Sequence, residues 1–254
     1  MAKIVVFDSG LGSISIIKEI KKIMKTDIVY FADQKNYPYG NKSQAQIASI
    51  IKKTINMLEE KFTPDVIVVA SNTPSLMLNL QTGKIIGVKP PLKLAQKKSK
   101  SKKIGILATK ASVNSKGLEN YVKENNIPKS YKIFKINGSN LVDLVESGKF
   151  LNNKKYCKKI IKKSLDDYII TEKIDVITLS STHLLFLKTL LEKEFPQVEF
   201  IDPGSLVAKK IFLKIKNKQS KRNSLKIFTS GNIINFKNKL NKIGIKNKIN
   251  YLST

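Results

Sequence analysis

The chain has 254 residues, 41% of them hydrophobic, enough for one large or two small packed domains. It carries 47 lysines plus arginines against 19 acidic residues, a formal net charge of +28, and one cysteine, Cys157, which excludes an intramolecular disulfide. No apolar run approaches the roughly 20 residues of a membrane helix, and Ile4–Phe7 is too short for a signal-peptide core, so a soluble, cytoplasmic protein is expected.

Ile4–Phe7 reads as a short buried strand ending at Asp8. The glycine-containing turn Ser9–Gly12 leads into helical spacing over 14–24, with Ile16, Ile17, Ile20 and Ile23 on one side. Such a turn presents backbone N–H groups at a helix start and favours an anion. It lacks the glycine at Ser15 that a dinucleotide fingerprint would need. Asp8 is therefore either a helix cap or a site residue. A second strand over 27–32 ends at Asp33, and the loop Asn36–Asn41 carries two tyrosines around Pro38. The spacing of Ile47, Ile50, Ile51, Ile55 and Leu58 predicts a helix over 43–61 capped by Ser43.

The run Asp65-Val66-Ile67-Val68-Val69-Ala70-Ser71-Asn72-Thr73 is echoed by Asp175-Val176-Ile177-Thr178-Leu179-Ser180-Ser181-Thr182-His183. Lys3–Ser9 is likewise echoed by Lys103–Thr109. Two echoes at similar offsets predict two related halves, each a parallel-sheet unit with polar residues at its strand ends. Ligands of open α/β sheets sit beyond those ends. Asp8, Ser71 and Ser181 are therefore candidates for one shared site. The expected fold is α/β: two pseudo-symmetric three-layer domains with mainly parallel sheets and a cleft between them. Residues 1–95 with 206–254 should form the first, and 96–205 the second.

A strand is expected over 85–88, after which Lys89-Pro90-Pro91 resists helix. The basic run over 97–103 reads as a solvated connection, with a nucleic-acid patch as its alternative. Strands are expected over 131–136, 198–201 and 226–229, and helices over 137–148, 156–170 and 184–195. A lysine-rich helix and Ile249–Leu252 follow, the latter returning to the first domain.

The charge by itself suggests nucleic acid. Yet Arg222 is the only arginine, and base or phosphate recognition favours arginine's planar fork. The lysines are spread along the chain beside abundant Asn and Ile, as AT-rich codons would produce. No specific nucleic acid and no membrane partner is expected; weak, salt-sensitive attraction to polyanions is.

Phe7-Asp8-Ser9-Gly10-Leu11-Gly12, Tyr30-Phe31-Ala32-Asp33, Pro38-Tyr39-Gly40, Ser71-Asn72-Thr73, Leu141–Glu146, Ser181-Thr182-His183 and Thr229-Ser230-Gly231-Asn232 occur in an order that resembles glutamate racemase, of the aspartate/glutamate racemase superfamily. The resemblance implies cofactor-independent L/D interconversion of glutamate by two-base proton transfer, with no metal, and supply of D-glutamate as a peptidoglycan precursor. It also implies a homodimer and a small acidic amino acid as partner. Two groups flanking one carbon suit general acid–base catalysis. In the family both groups are cysteines; the resemblance places Ser71 and Ser181 there, and Cys157 replaces neither by position. Asp8 and Glu146 would assist the two bases, with His183 beside the second. Asp8, Ser9, Tyr39, Gly40, Asn72, Thr73, Thr182 and His183 would hold the substrate. A serine hydroxyl is a far weaker acid than a thiol, so weak or lost turnover is expected. The alternatives are a catalytically silent module binding an acidic metabolite, and hydrolysis using Ser181 with His183.

Overall fold

The computed structural model describes residues 2–78, 80, 83–218 and 220–254. The chain divides into two compact units, Met1–Val88 with Gly204–Thr254, and Lys89–Pro203. Both are built from alternating strands and helices around a parallel sheet.

The first stretch runs β1 (Lys3–Asp8), α1 (Ser13–Ile23), β2 (Asp27–Ala32), α2 (Gln44–Phe62), β3 (Val66–Val69), α3 (Asn72–Met77) and β4 (Ile85–Gly87). Two single-turn 3₁₀ segments, Gln34–Asn36 and Tyr39–Asn41, shape the loop before α2. Ser43 accepts the Gln46 amide while the Gln46 side chain accepts the Ser43 amide, so this helix starts at a complete capping box.

The second unit runs α4 (Leu92–Lys98), β5 (Lys103–Ala108), α5 (Lys110–Val113), α6 (Lys116–Glu124), β6 (Lys132–Asn137), α7 (Ser139–Glu146), α8 (Lys149–Asn152), α9 (Lys154–Asp166), β7 (Val176–Leu179), α10 (Lys188–Glu194) and β8 (Glu199–Ile201). The chain then re-enters the first unit as α11 (Gly204–Ile215), β9 (Ser224–Thr229), α12 (Ile233–Lys242) and β10 (Ile249–Tyr251).

The strand order is β10-β9-β2-β1-β3-β4 in the first sheet and β6-β5-β7-β8 in the second, with every pair parallel. The second order repeats the β2-β1-β3-β4 part of the first. The echoed strands are the central ones: β1 lies beside β3 with Phe7 opposite Val69, and β5 beside β7 with Leu107 opposite Leu179. Ile4, Val5, Val6 and Phe7 are all fully buried. A parallel strand covered on both faces reads as a continuous apolar run, and each such side chain contributes about 1.5–3 kcal/mol.

The Asp that opens each echo belongs to the opposite end of the sheet from the hydroxyl residues. Asp65 accepts the Lys3 amide at 3.0 Å and pairs with Lys218 at 2.7 Å. Asp175 accepts the amides of Lys100 and Ser101 and the hydroxyls of Ser99 and Ser101, all between 2.7 and 2.8 Å. Each aspartate thus pins the chain just before, or at the start of, the neighbouring central strand. The basic run over 97–103 is partly the end of α4 and partly this turn.

Three expectations need correction. The unit boundaries fall at 88/89 and 203/204 rather than 95/96 and 205/206, because Leu92 and Ala95 of α4 are buried and Ala95 packs with Ile104, Val176 and Ile201 of the second sheet. The helix expected over 184–195 is a 3₁₀ stretch, Thr182–Leu187, followed by α10. No helix is expected over 204–215, yet α11 stands there, with Val207, Ala208, Ile211 and Ile215 buried at helical spacing against α1.

Candidate functional site

In the first unit the candidates cluster beyond the carboxyl ends of β1 and β3. Asp8 closes β1 and is 2% exposed. Its Oδ2 accepts the Ser13 amide at 2.9 Å, so it caps α1 from five residues upstream. The residue in the cap position itself, Gly12, has no side chain to do this. The cap reading of Asp8 therefore holds as geometry, and it keeps a carboxylate at the sheet end. Tyr30 donates its hydroxyl to Gly10 O and ties down the same turn.

One strand over, Asp33 follows Ala32, the residue that pairs with Asp8, and is fully buried. Its carboxylate accepts the Tyr39 hydroxyl at 2.9 Å, the Ser230 hydroxyl at 3.0 Å and the Asn36 amide nitrogen at 2.9 and 3.0 Å. Its own amide donates to Asp8 O at 2.8 Å. Burial, with the Asp33 carboxylate next, holds the Tyr39 phenol well above its ordinary pKa, so it stays protonated as the donor. Tyr39 also donates its amide to Ser9 Oγ at 3.5 Å. Asp33 thus fixes the loop bearing Tyr39 and Gly40. It was absent from the sequence candidates, although a strand ending in an acid, exactly as β1 does, was a signal for it.

Ser71 follows β3 in extended conformation (φ −140°, ψ 128°) and occupies the cap position of α3. Its hydroxyl makes no capping bond and has no hydrogen-bond partner among the described residues. Its carbonyl is held by the Ser75 hydroxyl at 2.7 Å, and Ser75 Oγ in turn accepts the Val88 amide at 3.0 Å. Gly87 permits this clamp, since a Cβ there would lie 2.9 Å from Ser75 Oγ and 2.8 Å from Leu80 O. Asn72 and Thr73 are 3% and 4% exposed. Both polar atoms of the Asn72 amide are buried without a hydrogen-bond partner among the described residues. A primary amide left so costs stability, and such a group in a native fold calls for an explanation.

In the second unit Ser181 follows β7 with φ −144° and ψ 131°, nearly the backbone of Ser71. It too makes no capping bond, and its hydroxyl has no partner among the described residues. Thr182 and His183 are buried behind it. His183 Nε2 lies 2.7 Å from Glu146 Oε1, at the last residue of α7. The structure therefore joins Glu146 to His183 but joins neither Asp8 to Ser71 nor His183 to Ser181 by a hydrogen bond. Cys157 is buried on the inner face of α9 with Ile161 and Leu165, and burial pushes its thiol pKa up. Among the described residues no group of three His, Cys, Asp or Glu could hold a metal ion, and no helix is long and apolar enough to cross a membrane.

No protein-family model matches the chain. It is 30% identical over 231 residues to the glutamate racemase of Leptospira borgpetersenii serovar Hardjo-bovis, covering 88% of this chain and 86% of that protein. It is 31% identical over 228 residues to the glutamate racemase of Buchnera aphidicola subsp. Schizaphis graminum, with 87% and 88% covered. The fold matches the crystal structure of Francisella tularensis glutamate racemase in complex with D-glutamate at a TM-score of 0.82 and 21% identity, over 100% of this chain and 97% of that one. With two curated relatives at least 30% identical over most of their length and of this chain, the chain belongs to the glutamate racemase family.

Proposed function

We propose that the protein binds glutamate or a similar small acidic amino acid, with Ser9, Tyr39, Gly40, Asn72 and Thr73 as its contacts in the first unit. Its α-proton transfer is weak or lost. The unpartnered Asn72 amide carries the binding half: a buried group with one acceptor and two donors suits an amino acid's ammonium and carboxylate. The complex of the Francisella tularensis neighbour with D-glutamate points to the same ligand class.

The chemistry rests on Ser71 and Ser181. They have matching backbone conformations after matching strands, and neither hydroxyl is hydrogen-bonded to a base. A serine hydroxyl without such help is scarcely ionised near neutral pH, whereas a thiol near 8.5 is within reach of it. Asp8 spends one oxygen on Ser13, and Glu146 engages His183. Both acids then position their surroundings rather than take up a serine proton. Hydrolysis by Ser181 gains no support, because its hydroxyl is hydrogen-bonded neither to His183 nor to another base among the described residues.

Calorimetry with D- and L-glutamate and α-deuteration of L-glutamate in deuterated buffer test the two halves. Binding with negligible deuteration is expected. Rapid deuteration would overturn the chemical half, and absence of binding by either enantiomer the other. Under this reading the role in the cell is retention of an acidic amino acid, and a place in peptidoglycan supply follows only if turnover is found.

A further inference from the structure

Away from the Asp8 and Ser71 end, at the amino ends of β1, β2 and β9, the first unit carries a depression of about 950 Å³. Its size falls within the range of small-molecule sites. Phe62 and Phe228 form part of its wall as a tilted ring pair with centroids 5.0 Å apart. Phe62 is held in place by Lys3, whose ammonium donates to its carbonyl at 2.8 Å. Besides Lys3, three cations, Lys221, Arg222 and Lys226, line the same depression, and none of these three forms an ion pair among the described residues. The one acid there, Asp27, already accepts the Ser224 hydroxyl at 2.6 Å. Ser220, also on the wall, is 7% exposed, and its hydroxyl has no partner among the described residues.

We infer that this depression is a second ligand site, for a phosphate monoester carrying a planar ring, the nucleotide class. The two half-buried phenylalanines offer an apolar face on which a ring stacks. Arg222 supplies the planar fork that grips phosphate oxygens in pairs, with Lys221 and Lys226 as point charges. The chain's only arginine stands where geometry, and not charge alone, distinguishes it from lysine. Neither element suffices alone: the cations by themselves would hold any anion, and the rings by themselves any apolar molecule. The inference stands apart from the glutamate reading, since it uses none of the same residues.

The test is calorimetric titration of the full chain at about 150 mM salt with adenosine monophosphate, inorganic phosphate and adenosine as separate probes. Adenosine monophosphate should bind at least about tenfold more tightly than either of the others. Arg222→Ala should weaken it about tenfold, and Phe228→Leu severalfold. Lys159→Ala, which removes an equal charge from the exposed face of α9, should leave it within about twofold. Thermal melts of each variant without ligand control for folding. Equal affinity for phosphate and the nucleotide overturns the inference, as does equal loss in Arg222→Ala and Lys159→Ala, or no binding of the nucleotide at all.

Discussion

His183 Nε2 and Glu146 Oε1 stand 2.7 Å apart, with each residue 9% exposed. The pair joins the end of α7 to the turn after β7, across 37 residues of sequence. Glu146→Leu should destabilise the chain by about 1–3 kcal/mol, because a hydrogen bond between two buried polar groups is lost. Glu146→Gln, which keeps an acceptor oxygen, should cost less. Denaturant melts of the two variants compare the effects, and equal losses would show that packing rather than the hydrogen bond dominates.

Asn72 should show the opposite trade between fold and function. Its amide is buried with neither polar atom hydrogen-bonded. Asn72→Leu, close in volume, removes that burden and should raise stability by roughly 1 kcal/mol. The same change should abolish glutamate binding. A variant both less stable and still able to bind would contradict the role given to this side chain.

Restoring sulfur tests how much of the chemistry is intact. Ser71→Cys with Ser181→Cys should raise α-proton exchange of glutamate by roughly a hundredfold or more, the scale of positioned acid–base groups. Each single change should recover exchange of one enantiomer at most. The readout is deuterium incorporation from D- and from L-glutamate, and a double variant as slow as the parent would show that more than the thiols has been lost.

Acid stability should depend on the two echoed aspartates. Hydrogen bonding from Lys218, then from the Lys3 amide, lowers the pKa of Asp65. Burial acts to raise that of Asp175, but the hydrogen bonds from Ser101, Ser99 and Lys100 outweigh it and the net shift is downward. A carboxyl depressed on folding contributes stability above its unfolded pKa of about 3.9 and loses that contribution as pH falls through the folded value. Asp175→Asn should thus lower stability at pH 7 and flatten its decline below about pH 4. Melting temperatures from pH 7 to pH 2 for both proteins measure this.

The same pair of aspartates shows where reading the residues succeeds and where it stops. The repetition of Asp-Val-Ile was visible as a repeat, and it correctly marked two parallel sheets with matching central strands. Its aspartates, however, bind Lys3 and Lys218 in one unit and Ser99, Lys100 and Ser101 in the other, partners that no spacing along one strand reveals. Asp33 was passed over for a related reason. An acid after a strand looks like any loop residue until Tyr39, Asn36 and Ser230 are seen to converge on it, the last from 197 residues away.

By itself the sequence determined what depends on neighbours in the chain. Apolar runs became buried strands, Ser43 and Gln46 a capping box, and Ser71 and Ser181 the residues just after their strands, because periodicity and capping act within a few bonds. Only the tertiary structure decided what depends on distant segments meeting. It set β9 between β2 and β10, brought Glu146 to His183, and left the Asn72 amide and both serine hydroxyls without partners among the described residues. Whether a buried polar group finds its complement is settled by packing in three dimensions, and the pattern along one dimension carries no record of it.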